Sequence, residues 1–318
     1  MNALQRQIGA LREAGAATEL SALGLELLHA EHFPEAEMAF LAARDLGEMS
    51  ALTNLAVTLD RMNRTEEAEA AYREAIEAGH DEGLVQLADM LLFESSRTSE
   101  VEAMLRLAVT REAVGAWYVL GKLLARRLGR HTEAEDALRR ERNSEIRPLA
   151  QYELGCLLVS QPGREEDAAT ALRASGTAAA DGVLGRLLLG LPGRESDAVA
   201  ALRRAAEGGV AHGWNNLTVV LAQFGRLAEA DAAYRDGIAA GEWDLVAHYG
   251  DFLQVHGRVA EAEEVLRRGL EKDARCAFIL GVILVNQPGR ADEGRRLLRL
   301  AAGSGVAEAG AYLARAGR

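Results

Sequence analysis

"QPGR" at 161–164 returns as "LPGR" at 191–194 and again as "QPGR" at 287–290. A loop built for chemistry is used once, whereas a turn used repeatedly belongs to the architecture. Gly-Arg pairs extend the series to 129–130, 163–164, 193–194, 225–226, 257–258 and 289–290, with spacings of 34, 30, 32, 32 and 32 residues. Ser96-Arg97 and Asn63-Arg64 hold the same slot further back, and Glu31-His32 falls one step earlier. Nine units of 30–34 residues therefore cover nearly the whole chain, a period that belongs to helical hairpin arrays.

Each unit has the same internal order. An apolar helix precedes the turn, as in "LTNLAVTL" (52–59), "WYVLGKLL" (117–124), "YELGCLL" (152–158) and "FILGVIL" (278–284). A second helix follows, with small, large and small residues at i, i+4 and i+7: Ala68/Tyr72/Ala75, Ala230/Tyr234/Gly237 and Ala262/Leu266/Gly269. That spacing gives one apolar stripe with room for a close helix neighbour. Glycine adopts the left-handed conformation that closes the first helix, and Pro162, Pro192 and Pro288 prevent its continuation. Thr65 with Glu66 and Glu67, and the boxes "SEVE" (99–102) and "TEAE" (132–135), predict N-caps for the second helices. Each would supply a hydroxyl oxygen, with carboxylates beside the positive helix end. Glycines at 79, 176, 208–209, 241 and 303–305 end second helices.

Composition narrows the function classes. The 318 residues are about half apolar and poor in aromatics, and no Ser/Gly-rich linker interrupts them, so a single continuous domain is expected. Two cysteines, Cys156 and Cys276, make neither a disulfide framework nor a four-thiolate zinc site. No signal-like leader precedes the first unit, and "CAFILGVILV" (276–285) is half the length a bilayer requires, so a soluble cytoplasmic protein with no membrane partner is expected. The net charge of −12 argues against nucleic acid as a partner. That charge is uneven: residues 1–110 carry 8 Lys+Arg against 20 Asp+Glu, while residues 111–147 carry 9 against 6. Lys122 and Lys272 are the only lysines, a bias toward arginine that fits a high-GC, bacterial genome.

The units resemble tetratricopeptide repeats. Leu20, Leu23, Gly24, Leu27, Ala36, Phe40 and Ala43 match that pattern in the first unit, and Trp117, Leu120, Gly121, Leu124, Ala134 and Leu138 match it in the fourth. The turns between units, "AIEAGHDEGLVQLA" and "AAEGGVAHGWNNL", resemble Sel1-like repeats. The terminal proline of the family unit is missing, and Trp survives only in units four and seven. The resemblance implies an all-α, right-handed α-solenoid superhelix of about nine antiparallel hairpins. An N-terminal helix at 1–17, hairpins over 18–305 and a capping partial repeat at 306–318 would then form one domain.

The resemblance further implies a non-catalytic protein- or peptide-binding scaffold, whose first helices line a concave groove. Counting along the units places Asn54, Gln86, Tyr118, Lys122, Arg126 and Tyr152 on that face, followed by Arg186, Asn216 and Phe278. Asn54 and Asn216 stand where some family members hold a ligand backbone, since an amide donates and accepts at once. The family's carboxylate clamp is absent, because its basic positions read Glu82 and Gln86, or Asp244 and His248.

No catalytic motif, metal ligand set or cofactor loop is present, so no cofactor and no enzymatic activity are expected. The pair His29 and His32 lacks a third ligand, no histidine is fixed beside Cys156, and His248 and His256 read as solvated or capping residues. Lys122 and Arg126 share one helix face, with Arg186 two units on, which points to an acidic peptide or partner surface across units four to six. The competing reading is that these cations pair with acids of adjacent helices. A different function class is a self-associating, homo-oligomeric structural scaffold with no peptide ligand, a homodimer through the C-terminal region being its contact. It rests on Phe278, Ile279, Val282 and Val285, an apolar cluster to be covered by the terminal segment or by a second copy.

Overall fold

A computed structural model of the chain describes residues 3–316; the ends of the expected N-terminal helix and capping segment, 1–2 and 317–318, lie outside the described residues. Every regular element described is helical. The contacts fall into two compact units, residues 1–162 and 163–318.

The first unit holds α1 (Ala3–Glu13), α2 (Ala17–His29), α3 (Phe33–Asp45), α4 (Ala51–Arg61), α5 (Thr65–Glu77), α6 (Glu82–Met90), α7 (Thr98–Thr110), α8 (Ala116–Ala125), α9 (His131–Arg140) and α10 (Arg147–Val159). The second unit holds α11 (Glu165–Ser175), α12 (Ala178–Leu189), α13 (Glu195–Glu207), α14 (Gly213–Gln223), α15 (Leu227–Ala239), α16 (Leu245–Val255), α17 (Val259–Gly269), α18 (Ala274–Val285), α19 (Ala291–Gly303) and α20 (Ala307–Ala316). In each unit a first helix packs on the second helix of its hairpin, and that one packs on the first helix of the next. First helices also touch: α6 lies on α8, α8 on α10, and α16 on α18. Each unit is thus an all-α stack of hairpins, the packing of an α-solenoid.

The repeated Leu-Gly has a steric cause. A Cβ on Gly24 would stand 2.6 Å from the Phe40 ring, on Gly121 2.5 Å from Leu138 Cγ, and on Gly185 2.6 Å from Leu202 Cγ. In each hairpin the large residue of the second helix sits where that side chain would go. The turn glycines agree equally well, since Gly129, Gly163, Gly193, Gly225, Gly257 and Gly289 all have φ between 69° and 82°. Where the sequence has no glycine, Glu31 and Asn63 take the same left-handed conformation, at 60° and 58°. The third hairpin differs. A short 3-10 turn, Ser95–Arg97, joins α6 to α7.

The expected N-caps are not formed as the sequence boxes suggest. Thr65 is already the first residue of α5, Thr98 opens α7, and His131 opens α9. Their N-caps are Arg64, Arg97 and Arg130, without a side-chain cap bond. The boxes lie too far inside the helix for a hydroxyl to reach the free amides. The carboxylates do stand in the first turn, where the helix dipole favours them.

The arginine of the quoted turn is therefore the N-cap residue, and its side chain takes a recurring position. In unit 1, Arg64, Arg97 and Arg130 bond both to the acid three residues ahead and to an acid on the preceding second helix. The latter contacts are Arg64–Glu37, Arg97–Glu69 and Arg130–Glu102, each at 2.7 Å. In unit 2 the same rungs are Arg194–Glu166 at 2.7 Å, Arg258–Asp231 at 2.6 Å and Arg290–Glu263 at 2.7 Å. Arg226 departs from this: Ala198 stands 28 residues back, and among the described residues it pairs with Glu229 alone. The turn recurs because its glycine reverses the chain and its arginine fastens one hairpin to the one before.

Candidate functional site

Among the clefts lined by first helices, one in each unit gathers charged and aromatic side chains. In unit 1, α8 presents Lys122 and Arg126 one turn apart, and α10 presents Glu153 and Cys156 opposite them. Together with Leu92, Phe93 and His131 they enclose a cleft of about 320 Å³. Phe93 lies just after α6 and is 68% exposed, a large ring left in solvent. The Arg126 guanidinium stacks over it at 4.5 Å from the ring centroid. Arg126 makes no ion pair among the described residues.

Lys122 is differently placed. Its Nζ donates to Asp89 at 2.8 Å and stands 5.1 Å from the centroid of the Tyr118 ring. Burial lowers the ammonium's pKa, but Asp89, with Tyr118 and Glu153, makes the net shift upward. Burial likewise raises the carboxyl of Glu153 above its ordinary range, against the pull of Lys122 and Arg126. Of the two expected cations, then, the competing reading holds for Lys122, while Arg126 keeps its charge open to the cleft. Phe93 and Glu153 complete the cleft; Phe93 has the inner-face spacing, whereas Glu153 is read only by its place beside Tyr152.

The other sequence candidates are dispersed. Asn54 is half-buried on α4 and Gln86 exposed on α6, both outside the cleft. Tyr118 and Tyr152 are half-buried on α8 and α10. Arg186 and Asn216 are exposed on α12 and α14 of unit 2. Phe278 has a structural neighbour: it packs against the buried cluster Ala277, Ala301 and Ala309, with Val306 beside it. The α19–α20 end thus shields that half-buried ring in part, and Ile279 packs into the main core of unit 2.

The inner cleft of unit 2, about 370 Å³, is lined by Asn215, Val219, His248 and Asp251 with Phe252, Val255 and His256. His256 ends α16, and its Nδ1 lies 2.7 Å from the Phe252 carbonyl, the capping role expected of it. His248 Nε2 faces Arg275 at 3.3 Å, so it is not simply solvated. His131 shares the unit 1 cleft with Cys156, a neighbour that the repeat spacing did not anticipate. Cys276 is buried, and burial pushes its thiol up to about 12. Among the described residues no three His, Cys, Asp or Glu side chains are placed to hold a metal ion, and no helix is long and apolar enough to cross a membrane.

Comparison with known proteins places one hairpin firmly. The family profile "Tetratricopeptide repeat" matches residues 50–78, which are α4, its turn and α5. The match is confined to that one hairpin. No curated protein matches the chain. Among solved structures, the crystallised TPR domain of P58(IPK) is 15% identical and aligns over 95% of this chain and 99% of its own, with a TM-score of 0.31. A score that low bears on neither fold nor function.

Proposed function

We propose that the chain is a non-catalytic adaptor that holds a protein or peptide partner against the inner face of its first helices. The docking point in unit 1 is the cleft between α8 and α10. One observation carries this reading: Arg126 stacks on the exposed ring of Phe93 at the cleft and makes no ion pair among the described residues. A flat apolar surface beside an uncommitted guanidinium suits an acidic segment with an apolar neighbour, the mixture found at binding hot spots. Lys122 is committed to Asp89, so the selective charge falls on Arg126. The Asn54 amide, on the same set of first helices, is suited to a ligand backbone. The self-association reading rests on Phe278, Ile279, Val282 and Val285, of which Phe278 already packs in part against the chain's own end and Ile279 into the core.

The test begins with affinity capture on the full chain, followed by mass spectrometry to name the partner. Its acidic segment is then titrated against the parent and Arg126→Glu. Affinity should fall by about 2 kcal/mol or more for the reversal if the pair is desolvated, and added salt should weaken the parent complex. Unchanged affinity and salt dependence would place the partner elsewhere.

A further inference from the structure

On the side of unit 2 formed by second helices, a cleft of about 600 Å³ opens between α15 and α17 above α16. Its floor is apolar, from Ile238, Val246, Tyr249 and Val265, and Trp243 forms one wall with 44% of its surface exposed. At some other junctions a cation spans the gap between successive second helices. Arg73 of α5 reaches Glu100 of α7 at 2.9 Å, and Arg267 of α17 reaches Glu293 of α19 at 3.1 Å. Arg235 has the equivalent place in α15, following Tyr234 as Arg73 follows Tyr72. It turns away instead: its Nε donates to the Tyr249 hydroxyl at 3.0 Å, and the guanidinium pairs with Asp231 at 2.9 Å. Across the gap, Glu261 is held by Arg258 at 2.6 Å. Apart from the Arg258–Asp231 rung at the start of α17, no ion pair bridges α15 and α17 among the described residues, and the cleft stays open.

We propose that this cleft docks an amphipathic helix of a partner protein, with aliphatic anchors entering beside Trp243 and acidic residues flanking them. The length fits: the α17 wall runs from Glu261 to Arg268, roughly 10 Å at the helical rise per residue, enough for anchors one turn apart. A partly exposed Trp over an aliphatic floor is the composition of a hot-spot pocket. The charge fits as well. Both rim carboxylates are already engaged, Glu261 by Arg258 and Glu264 by Arg268. Lys272, 5.8 Å from the Trp243 ring centroid, has no ion pair among the described residues. The uncommitted charge beside Trp243 is thus positive. This surface is separate from the inner cleft of unit 1, so either reading can fail alone.

The experiment is fluorescence anisotropy of lactam-constrained, labelled helical peptides against the full chain. One peptide carries leucines at i, i+4 and i+7 flanked by glutamates, and a second has the glutamates replaced by lysines. The acidic helix should bind saturably and the lysine helix at least about tenfold more weakly. Ala239→Arg, which places a long side chain on an exposed lip of the cleft, should weaken the acidic helix by about tenfold or more, the loss of an anchor contact. Lys272→Glu, on a solvent-exposed side chain, should weaken it severalfold. Circular dichroism checks that each variant keeps the parental helix content. Absence of saturable binding, equal binding of the lysine helix, or indifference to both Ala239→Arg and Lys272→Glu would overturn the proposal. Ala239→Arg losing its helices would leave Lys272→Glu and the two-peptide comparison to decide.

Discussion

Arg97 stands between two carboxylates, Glu69 of the preceding second helix at 2.7 Å and Glu100 of its own helix at 2.9 Å. Glu69 is shared again with Arg73 at 2.7 Å, and it is Arg97, then Arg73, acting against burial, that holds its carboxyl down to about 2 from an ordinary value of 4.5. A depressed folded-state pKa contributes stability that is complete above 4.5 and is lost as the pH falls from there through about 2. Parent and Glu69→Gln should therefore differ most near neutral pH and converge in acid, which chemical denaturation across that range can check. Because these groups remain partly solvated, Arg97→Ala should cost only about 1 kcal/mol. Gly121→Ala should cost more, about 1–3 kcal/mol, because its Cβ would meet Leu138 in a filled core. A thermal melt in which Gly121→Ala matched the parent would refute the steric origin of the Leu-Gly motif. The rungs were legible in principle, since arginine and partner acid stand a constant 27 or 28 residues apart. Reading the turn as a local motif hid a pairing one repeat away.

At the level of the hairpin, the apolar stripes and the glycine turn were plain in the sequence, because periodicity and left-handed backbone follow from local chemistry. The helix starts were not. A Ser/Thr box marks a cap only when it stands at the boundary, and here the chain enters the helix through arginine one or two residues earlier. The Lys122–Asp89 pair lies 33 residues apart, one repeat period, and only stacking brings the two together. The terminal hairpin yields a sharper expectation. Ala309 of α20 completes the cluster against Ala277, Ala301 and Phe278. Deleting residues 306–318 should expose that ring and cause aggregation visible in light scattering, since a helix apolar nearly all round is left uncovered. If the truncated chain stayed as dispersed as the parent, α20 would not be the cover.

At the scale of the molecule, the recurring contacts are short in range: within each compact unit a hairpin meets its neighbours through packed helices, small residues and arginine rungs. Stability in such a stack is a sum over units and their neighbours, so damage stays near its source. Leu120 is buried on α8 at the centre of its hairpin, and Leu120→Ala should cost about 2–5 kcal/mol there. Hydrogen exchange followed by mass spectrometry reads the consequence peptide by peptide. Protection should fall in α8, α9 and the helices packed on them, and stay near parental in α16 to α19. A uniform loss of protection from α2 to α19 would contradict a structure built from neighbour contacts.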